Sequence, residues 1–239
     1  MTARFFAFGC SFTAFAWPTW PDLVGLNFPD NYYNYGRSGA GNSFIFHRFI
    51  EANEYHKFTK DDLVIIQWTE YMREDRYINN WWHTNGTISN AYPMDYIKKW
   101  IDPRGFLIRD LTIIAAVTQI LDRIGCEYHF LNLNTFAGEP DILDRFAPYL
   151  QKIKPGYLEV LGPRKLRNLC GIPIKDLHPT PGEHYQYLET VLPQWLPENK
   201  NIGNEWDELL AKHWYSHKEG WDYTWDGIDR GFEKIFREL

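Results

Sequence analysis

The chain has 239 residues, of which 44% are hydrophobic and 23% charged. These values exclude collagen-like, coiled-coil and disordered classes and fit one α/β domain better than two small ones. Its 25 basic and 31 acidic residues leave a net charge of −6, which lacks the basic footprint of a nucleic-acid binder. Three scattered cysteines, Cys10, Cys126 and Cys170, make neither a disulfide framework nor a zinc set, and they fit a reducing compartment.

The N-terminal stretch shows no charged segment followed by a long apolar run, so no signal peptide is expected. The longest apolar run, near Ile113–Val117, is far short of the roughly 18 residues a membrane span needs. These features point to a cytoplasmic or virion-associated protein without a membrane partner. Arg4–Phe8 reads as a buried strand closed by Gly9, with Ser11 to Thr13 placed to cap the next element. Trp17 to Leu26 reads as a helix broken by Pro18 and Pro21, and Tyr32–Tyr35 as a strand running into a loop from Gly36 to Asn42. A helix is expected over Ser43 to Tyr55, a buried strand over Leu63–Trp68, and a long helix over Arg104 to Gly125. That helix carries one wide apolar face and a glycine stop. Glu127–Leu133 reads as a strand, Asp141–Ile153 as a helix, and Glu183–Leu196 as a last helix before Pro197. Strands alternating with helices predict a three-layer αβα sandwich around a parallel sheet, with sites at the carboxyl ends of the strands.

This reading assigns residues 1–197 to one domain. It contains a long aromatic-rich insertion at about 71–103, and residues 198–239 form a Trp-rich amphipathic extension. The 11 tryptophans and the 18% aromatic fraction predict ring-stacking surfaces or large interfaces besides core. In the extension Trp206, Leu210, Trp214, Trp221, Trp225, Ile228, Phe232, Ile235 and Leu239 recur on one face. Such a face packs on the domain body, or docks a partner protein or a second copy of the chain.

Ser11 follows a strand and a glycine in a tight turn, where a serine is exposed at a sheet edge near a helix N-terminus. A serine nucleophile needs a base, and the base an orienting carboxylate. His178, with Asp176 two positions earlier, supplies both if the segment is extended. Gly39, whose N–H can approach a ligand closely, is a candidate donor to an acyl oxyanion. Taken singly, the serine reads equally as a helix cap, the Asp-x-His as a turn or surface pair, and the glycine as a turn residue. Their order and combination carry the signal.

The segments Phe6-Ala7-Phe8-Gly9-Cys10-Ser11-Phe12-Thr13, Asn34-Tyr35-Gly36-Arg37-Ser38-Gly39 and Asp176-Leu177-His178-Pro179-Thr180 together resemble the SGNH (GDSL-like) hydrolase superfamily. The resemblance runs from residue 4 to about residue 197, and the variant blocks are most similar to members from phage genomes. It implies a flavodoxin-like αβα sandwich with a five-stranded parallel sheet and serine esterase, deacetylase or acyltransferase chemistry without a cofactor. It further implies Ser11 as nucleophile and first oxyanion donor, Gly39 as second donor, His178 as general base and Asp176 as its partner. The chain departs from the family pattern at three places. Cys10 stands where the family has Asp. Lys175 holds the usual place of the acid, three before the histidine. The Gly-x-Asn-Asp block is replaced by Thr69-Glu70-Tyr71-Met72-Arg73, which leaves Thr69, Tyr71 or Arg73 as substitute donors.

Cys10 reads as a small buried residue more than as a thiol nucleophile. Trp81 and Trp82, with Arg73, are candidates for substrate contact, and the two rings are equally suited to packing a long loop. His47, His56, His129, His213 and His217 show no metal-ligand spacing, His184 reads as helix surface or packing, and the Gly36–Gly41 stretch lacks the Lys-Ser/Thr ending of a P-loop. The leading expectation is a serine esterase or deacetylase acting on small acyl esters of a small molecule or glycan. The alternative is a non-catalytic glycan-binding or structural, virion-type protein on the same scaffold.

Overall fold

The strand Phe5–Phe8 (β1) is buried at all positions and forms the axis of the sheet. The computed structural model describes residues 3–162, 167–169, 172–174 and 176–216; for 167–169, 172–174 and 213–216 it describes the backbone alone. β1 pairs in parallel with Tyr32–Asn34 (β2) on one side and with Leu63–Trp68 (β3) on the other, and β3 pairs in parallel with Glu127–Asn132 (β6). The order in this four-stranded sheet is β2-β1-β3-β6. β3 is buried at every position, so both faces of the sheet are covered, as parallel sheets require. Helix Asn42–His56 (α2) packs on β1 and on the long helix Pro103–Ile124 (α5), which in turn packs on Pro140–Leu150 (α6). A second group joins Trp20–Gly25 (α1), Tyr157–Leu161 (α7), Pro181–Val191 (α8) and Ile202–Ser216 (α9).

The aromatic load goes largely into this core. Phe5 stacks on Tyr32 at 5.3 Å, Phe6 on Tyr33 at 5.0 Å and Phe8 on Tyr35 at 5.3 Å between ring centroids. The β1–β2 register sets these pairs side by side, and cross-strand aromatic pairs of this kind pin a register.

Several expectations are corrected. Ser11–Thr13 caps no helix: the segment closes into a turn, with Thr13 and Ala14 N–H both donating to Cys10 O, and α1 starts only at Trp20. Pro18 and Pro21 bracket that start, Thr19 is the N-cap, and the Asp22 carboxylate accepts the Thr19 N–H at 2.7 Å. The last helix stops at Val191, and Pro193–Trp195 continues as a 3-10 turn because Pro193 has no N–H to extend the helix. A fifth strand is reduced, among the described residues, to a parallel bridge between Ile153 and Phe130. Lys154 N–H still donates to Phe130 O, but the next donor in the ladder, Gly156 N–H, turns to Glu159 Oε2 at 2.8 Å at the start of α7.

The insertion is not an irregular loop. Arg73–Ile78 (β4) and Trp81–Thr87 (β5) form an antiparallel hairpin, followed by short helices Ile88–Ala91 (α3) and Met94–Trp100 (α4). Arg167–Leu169 (β7) and Ile172–Ile174 (β8) form a second, smaller hairpin before the Asp176 segment. In the extension, α9 packs on α8; Trp206, Leu210 and Ala211 are buried, and Trp206 joins the main core. The remaining extension residues named above, from Trp221 onward, lie outside the described residues, as do Cys170, Lys175 and His217; for His213 and Trp214 only the backbone is described. No helix among the described residues is long and apolar enough to cross a membrane.

Candidate active site

After β1 the chain turns to one side for β2 and crosses to the other for β3. The loops leaving β1 and β3 therefore diverge beyond the carboxyl ends of these strands, the place where sheets of this topology bind ligands. Ser11 sits in the first of these loops. The turn that holds it is tight: a Cβ on Gly9 would lie 2.0 Å from Thr13 Oγ1, so only glycine lets the two segments approach. Thr13 is anchored below by its hydroxyl, which donates to Gln67 Oε1 of β3 at 2.7 Å, and Trp20 Nε1 donates to the same oxygen at 3.1 Å.

His178 reaches Ser11 from the far end of the chain. Its Nε2 lies 2.8 Å from Ser11 Oγ, and its Nδ1 lies 2.7 Å from Asp176 Oδ1. The segment is a bend rather than the extended stretch expected: Asp176 Oδ1 also accepts the His178 backbone N–H at 2.7 Å. Closing this local ring is how an acid at minus two serves the imidazole. The ring is also held by aromatics. Phe15 stacks on it at 3.8 Å with 21° between planes, and Phe12 meets it edge-on at 5.4 Å. Trp17 Nε1 donates to Pro179 O at 2.8 Å. One segment, residues 10–17, thus carries the serine and clasps the histidine. Phe15 and Trp17 were not legible in advance, because nothing local in the sequence links them to residue 178.

Gly39 has φ +75°, a left-handed conformation that favours glycine, and a Cβ there would lie 2.3 Å from Thr84 O. Neither its N–H nor that of Ser11 has an acceptor among the described residues. The Gly39 loop is bound to the Ser11 turn through Arg37 N–H, which donates to Gly9 O at 3.0 Å. From the other side the hairpin grips four consecutive residues. Thr84 Oγ1 donates to Ser38 O at 2.8 Å, Gly86 N–H to Gly39 O at 2.9 Å and Arg73 Nη1 to Ala40 O at 3.1 Å. Asp75 accepts from the N–H groups of Gly41 and Phe44 at 2.9 and 2.8 Å. Arg73, expected at the substrate, is therefore a strut of this loop.

The replaced third block is fixed by a buried network. Asn42 Nδ2 donates to Thr69 O at 3.0 Å and to Asp110 Oδ2 at 2.7 Å, while its Oδ1 accepts Thr69 N–H at 2.9 Å. Thr69 is fully buried, and its hydroxyl turns to Asn42 Oδ1 and Glu70 O. Arg109 pairs with Asp110 at 2.6 Å and donates to the carbonyls of Tyr71 and Arg73. Burial pushes the Asp110 carboxyl up to about 6 despite these partners. Tyr71 is half-buried against the core, and its hydroxyl makes no hydrogen bond among the described residues. Trp82 packs on Phe44 and His47, whereas Trp81 is exposed and carries the Arg37 guanidinium over its ring at 4.4 Å. Cys10 is fully buried, and so is His184, whose Nδ1 lies 2.7 Å from the Tyr157 hydroxyl. A cavity of about 500 Å³ lined by Arg4, His56 and Asp62 lies at the opposite, amino-terminal end of the strands and includes none of the residues around Ser11. No group of side chains suited to a metal ion occurs among the described residues.

The sequence matches no family model and no curated protein. Among solved structures, the chain is similar to a protein of Desulfitobacterium hafniense DCB-2 assigned to the G-D-S-L family of lipolytic proteins. The identity is 16%, the match covers 89% of this chain and 99% of that one, and the TM-score is 0.39. It is also similar to an alpha/beta hydrolase enzyme from the metagenome of Lake Arreo, Spain, with 13% identity, 79% and 95% coverage and a TM-score of 0.42.

Proposed function

We propose that the protein is a serine ester hydrolase of SGNH type acting on small acyl esters, with acetylated glycans as the leading substrate class. The observation that carries this reading is the hydrogen-bonded chain Ser11–His178–Asp176, with a 2.8 Å link between Ser11 and His178, 167 positions apart in sequence, and a 2.7 Å link from His178 to Asp176. A nucleophile, a base and an orienting carboxylate in that relation recur on unrelated folds and are recognised by geometry.

In this reading Ser11 Oγ attacks the ester carbonyl and its proton passes to His178 Nε2. Asp176 holds the imidazole in the tautomer that leaves Nε2 free to accept, and it stabilises the imidazolium that forms. The tetrahedral oxyanion is held by the N–H groups of Ser11 and Gly39, which have no other acceptor among the described residues. His178 returns the proton to the departing alcohol and leaves an acyl-serine. A water molecule then gives its proton to His178 and attacks the acyl carbon; the bond from that carbon to Ser11 Oγ breaks, the acid leaves, and His178 Nε2 returns the proton to Ser11 Oγ. The third block offers no asparagine for the oxyanion hole, since Thr69-Glu70-Tyr71-Met72-Arg73 stands there, and in other enzymes one such donor is worth about 10²–10³ in kcat. A modest turnover is therefore expected.

The test is hydrolysis of a short aryl ester by the purified chain. Ser11→Ala is expected to lower kcat by about 10⁴-fold or more. Hydrolysis that persists in that variant at a comparable rate overturns the assignment of Ser11, and no hydrolysis by the intact chain above the uncatalysed rate favours the binding-protein alternative.

A further inference from the structure

Arg37 carries a charge that no hydrogen-bonding group of the described structure answers. It lies two residues before Gly39, and its backbone N–H is bound to Gly9 O, so it stands between the two loops that bear the candidate oxyanion donors. Its guanidinium lies 4.4 Å over the centre of the Trp81 ring and 5.6 Å from that of Phe44. Among the described residues the guanidinium donates no hydrogen bond and joins no ion pair. The carboxylate whose field reaches it is Asp75, but both Asp75 oxygens are taken by the N–H groups of Gly41 and Phe44. The neighbouring cation Arg48 has its own partner, Glu51, at 2.7 Å. Burial and the repulsion of Arg48 lower the Arg37 pKa from its ordinary value, which marks a cation short of counter-charge.

Ring stacking uses the faces of a guanidinium and leaves its in-plane N–H donors unspent. Those donors match the geometry of a carboxylate, sulfate or phosphate, and a bidentate pair of this kind is among the stronger contacts available to a half-buried charge. We propose that Arg37, stacked on Trp81 beside Phe44, is an anion-binding residue of the candidate site, and that the ester taken there carries an oxyanionic group on its acyl or alcohol part. This rests on the reading of Ser11 as nucleophile. It narrows the substrate class from small acyl esters in general to those carrying an anionic group and gives the exposed Trp81 the part of a support for the cation.

The test uses a matched pair of esters, 4-acetoxybenzoate and methyl 4-acetoxybenzoate, and the full chain carrying Ser11→Ala, so that binding is read without turnover. By calorimetry the anionic ester is expected to bind about tenfold more tightly than the neutral one. High salt should weaken only the anionic ester. Adding Arg37→Gln should bring the two affinities together, and Arg37→Lys, which keeps the charge but loses the planar fork, should retain part of the preference. Equal binding of the two esters, a preference that survives Arg37→Gln, or no measurable binding of the anionic ester overturns the proposal. If Arg37→Gln fails to fold, the salt series and Arg37→Lys give the same decision. Hydrolysis by the chain with Ser11 intact is scored separately, so the failure of this subsite and the failure of the hydrolase reading give different results.

Discussion

Asp176 serves His178 across two positions because one carboxylate oxygen takes both the backbone N–H and Nδ1. The residues of this relay were legible from their types and order. The bend that joins them was not, because an extended segment would also bring positions i and i+2 to one face. Asp110 gives the opposite lesson: an ordinary acid in a helix pattern proves to be fully buried under the loop that leaves β3. Its carboxyl is raised from 3.8 to about 6 by burial, against the pull of Arg109 and Asn42. In the unfolded chain the group ionises at its lower, ordinary value. Between about pH 4 and about pH 6 the folded chain therefore holds a proton that the unfolded chain has lost. The stability contributed by Asp110 is present below that window, falls as pH rises through it, and is level above it. The melting temperature of the wild type minus that of Asp110→Asn should accordingly decrease from about pH 4 to about pH 6. A difference that stays constant would mean that the folded carboxyl ionises at its ordinary value.

At the scale of elements, the hairpin β4–β5 is what the sequence reading missed. Its signal was present: Asn79-Asn80 joins the strands as a two-residue turn with φ of 53° and 62°, the left-handed pair that tight hairpins favour. The flanking strands hid it, because Arg73–Ile78 is mostly polar and half-buried on both faces, with no clean alternation. Arg73 and Asp75 face the Gly39 loop, while Glu74 and Arg76 pair with each other and meet Tyr92 instead. Thr84, Gly86, Arg73 and Asp75 together hold residues 38–41 and the first turn of α2. Thr84 is thus a positioning residue for the Gly39 N–H. Thr84→Val keeps the shape and removes the bond to Ser38 O. It is expected to lower kcat for a short ester by about threefold to tenfold with little change in KM, since a misplaced donor is felt in the transition state. Thr84→Ser should restore the rate. A parallel loss of stability without a kcat effect would confine Thr84 to the scaffold.

For the whole molecule, the parallel sheet and its strand order explain why distant residues meet. Loops from β1, β2 and β3 and the segment before α8 converge at one end of the sheet, and α9 braces that last segment through Asp207, which accepts from Thr180 Oγ1 and Gly182 N–H. The strands Phe5–Phe8, Leu63–Trp68 and Glu127–Asn132 and the helix ending at Gly125 were readable because burial and period agree there. The clamp on the Gly39 loop and the network under Thr69 were not, because each joins segments tens of residues apart. The central claim is that this convergence makes Ser11 a nucleophile. It is tested most directly by an aryl fluorophosphonate, which forms a bond from phosphorus to an imidazole-activated serine oxygen and expels fluoride. Mass spectrometry of the labelled, digested chain should find one phosphonyl adduct, on the peptide containing Ser11, and none in His178→Gln. An adduct on another residue, or none on a protein that still hydrolyses esters, would contradict the account.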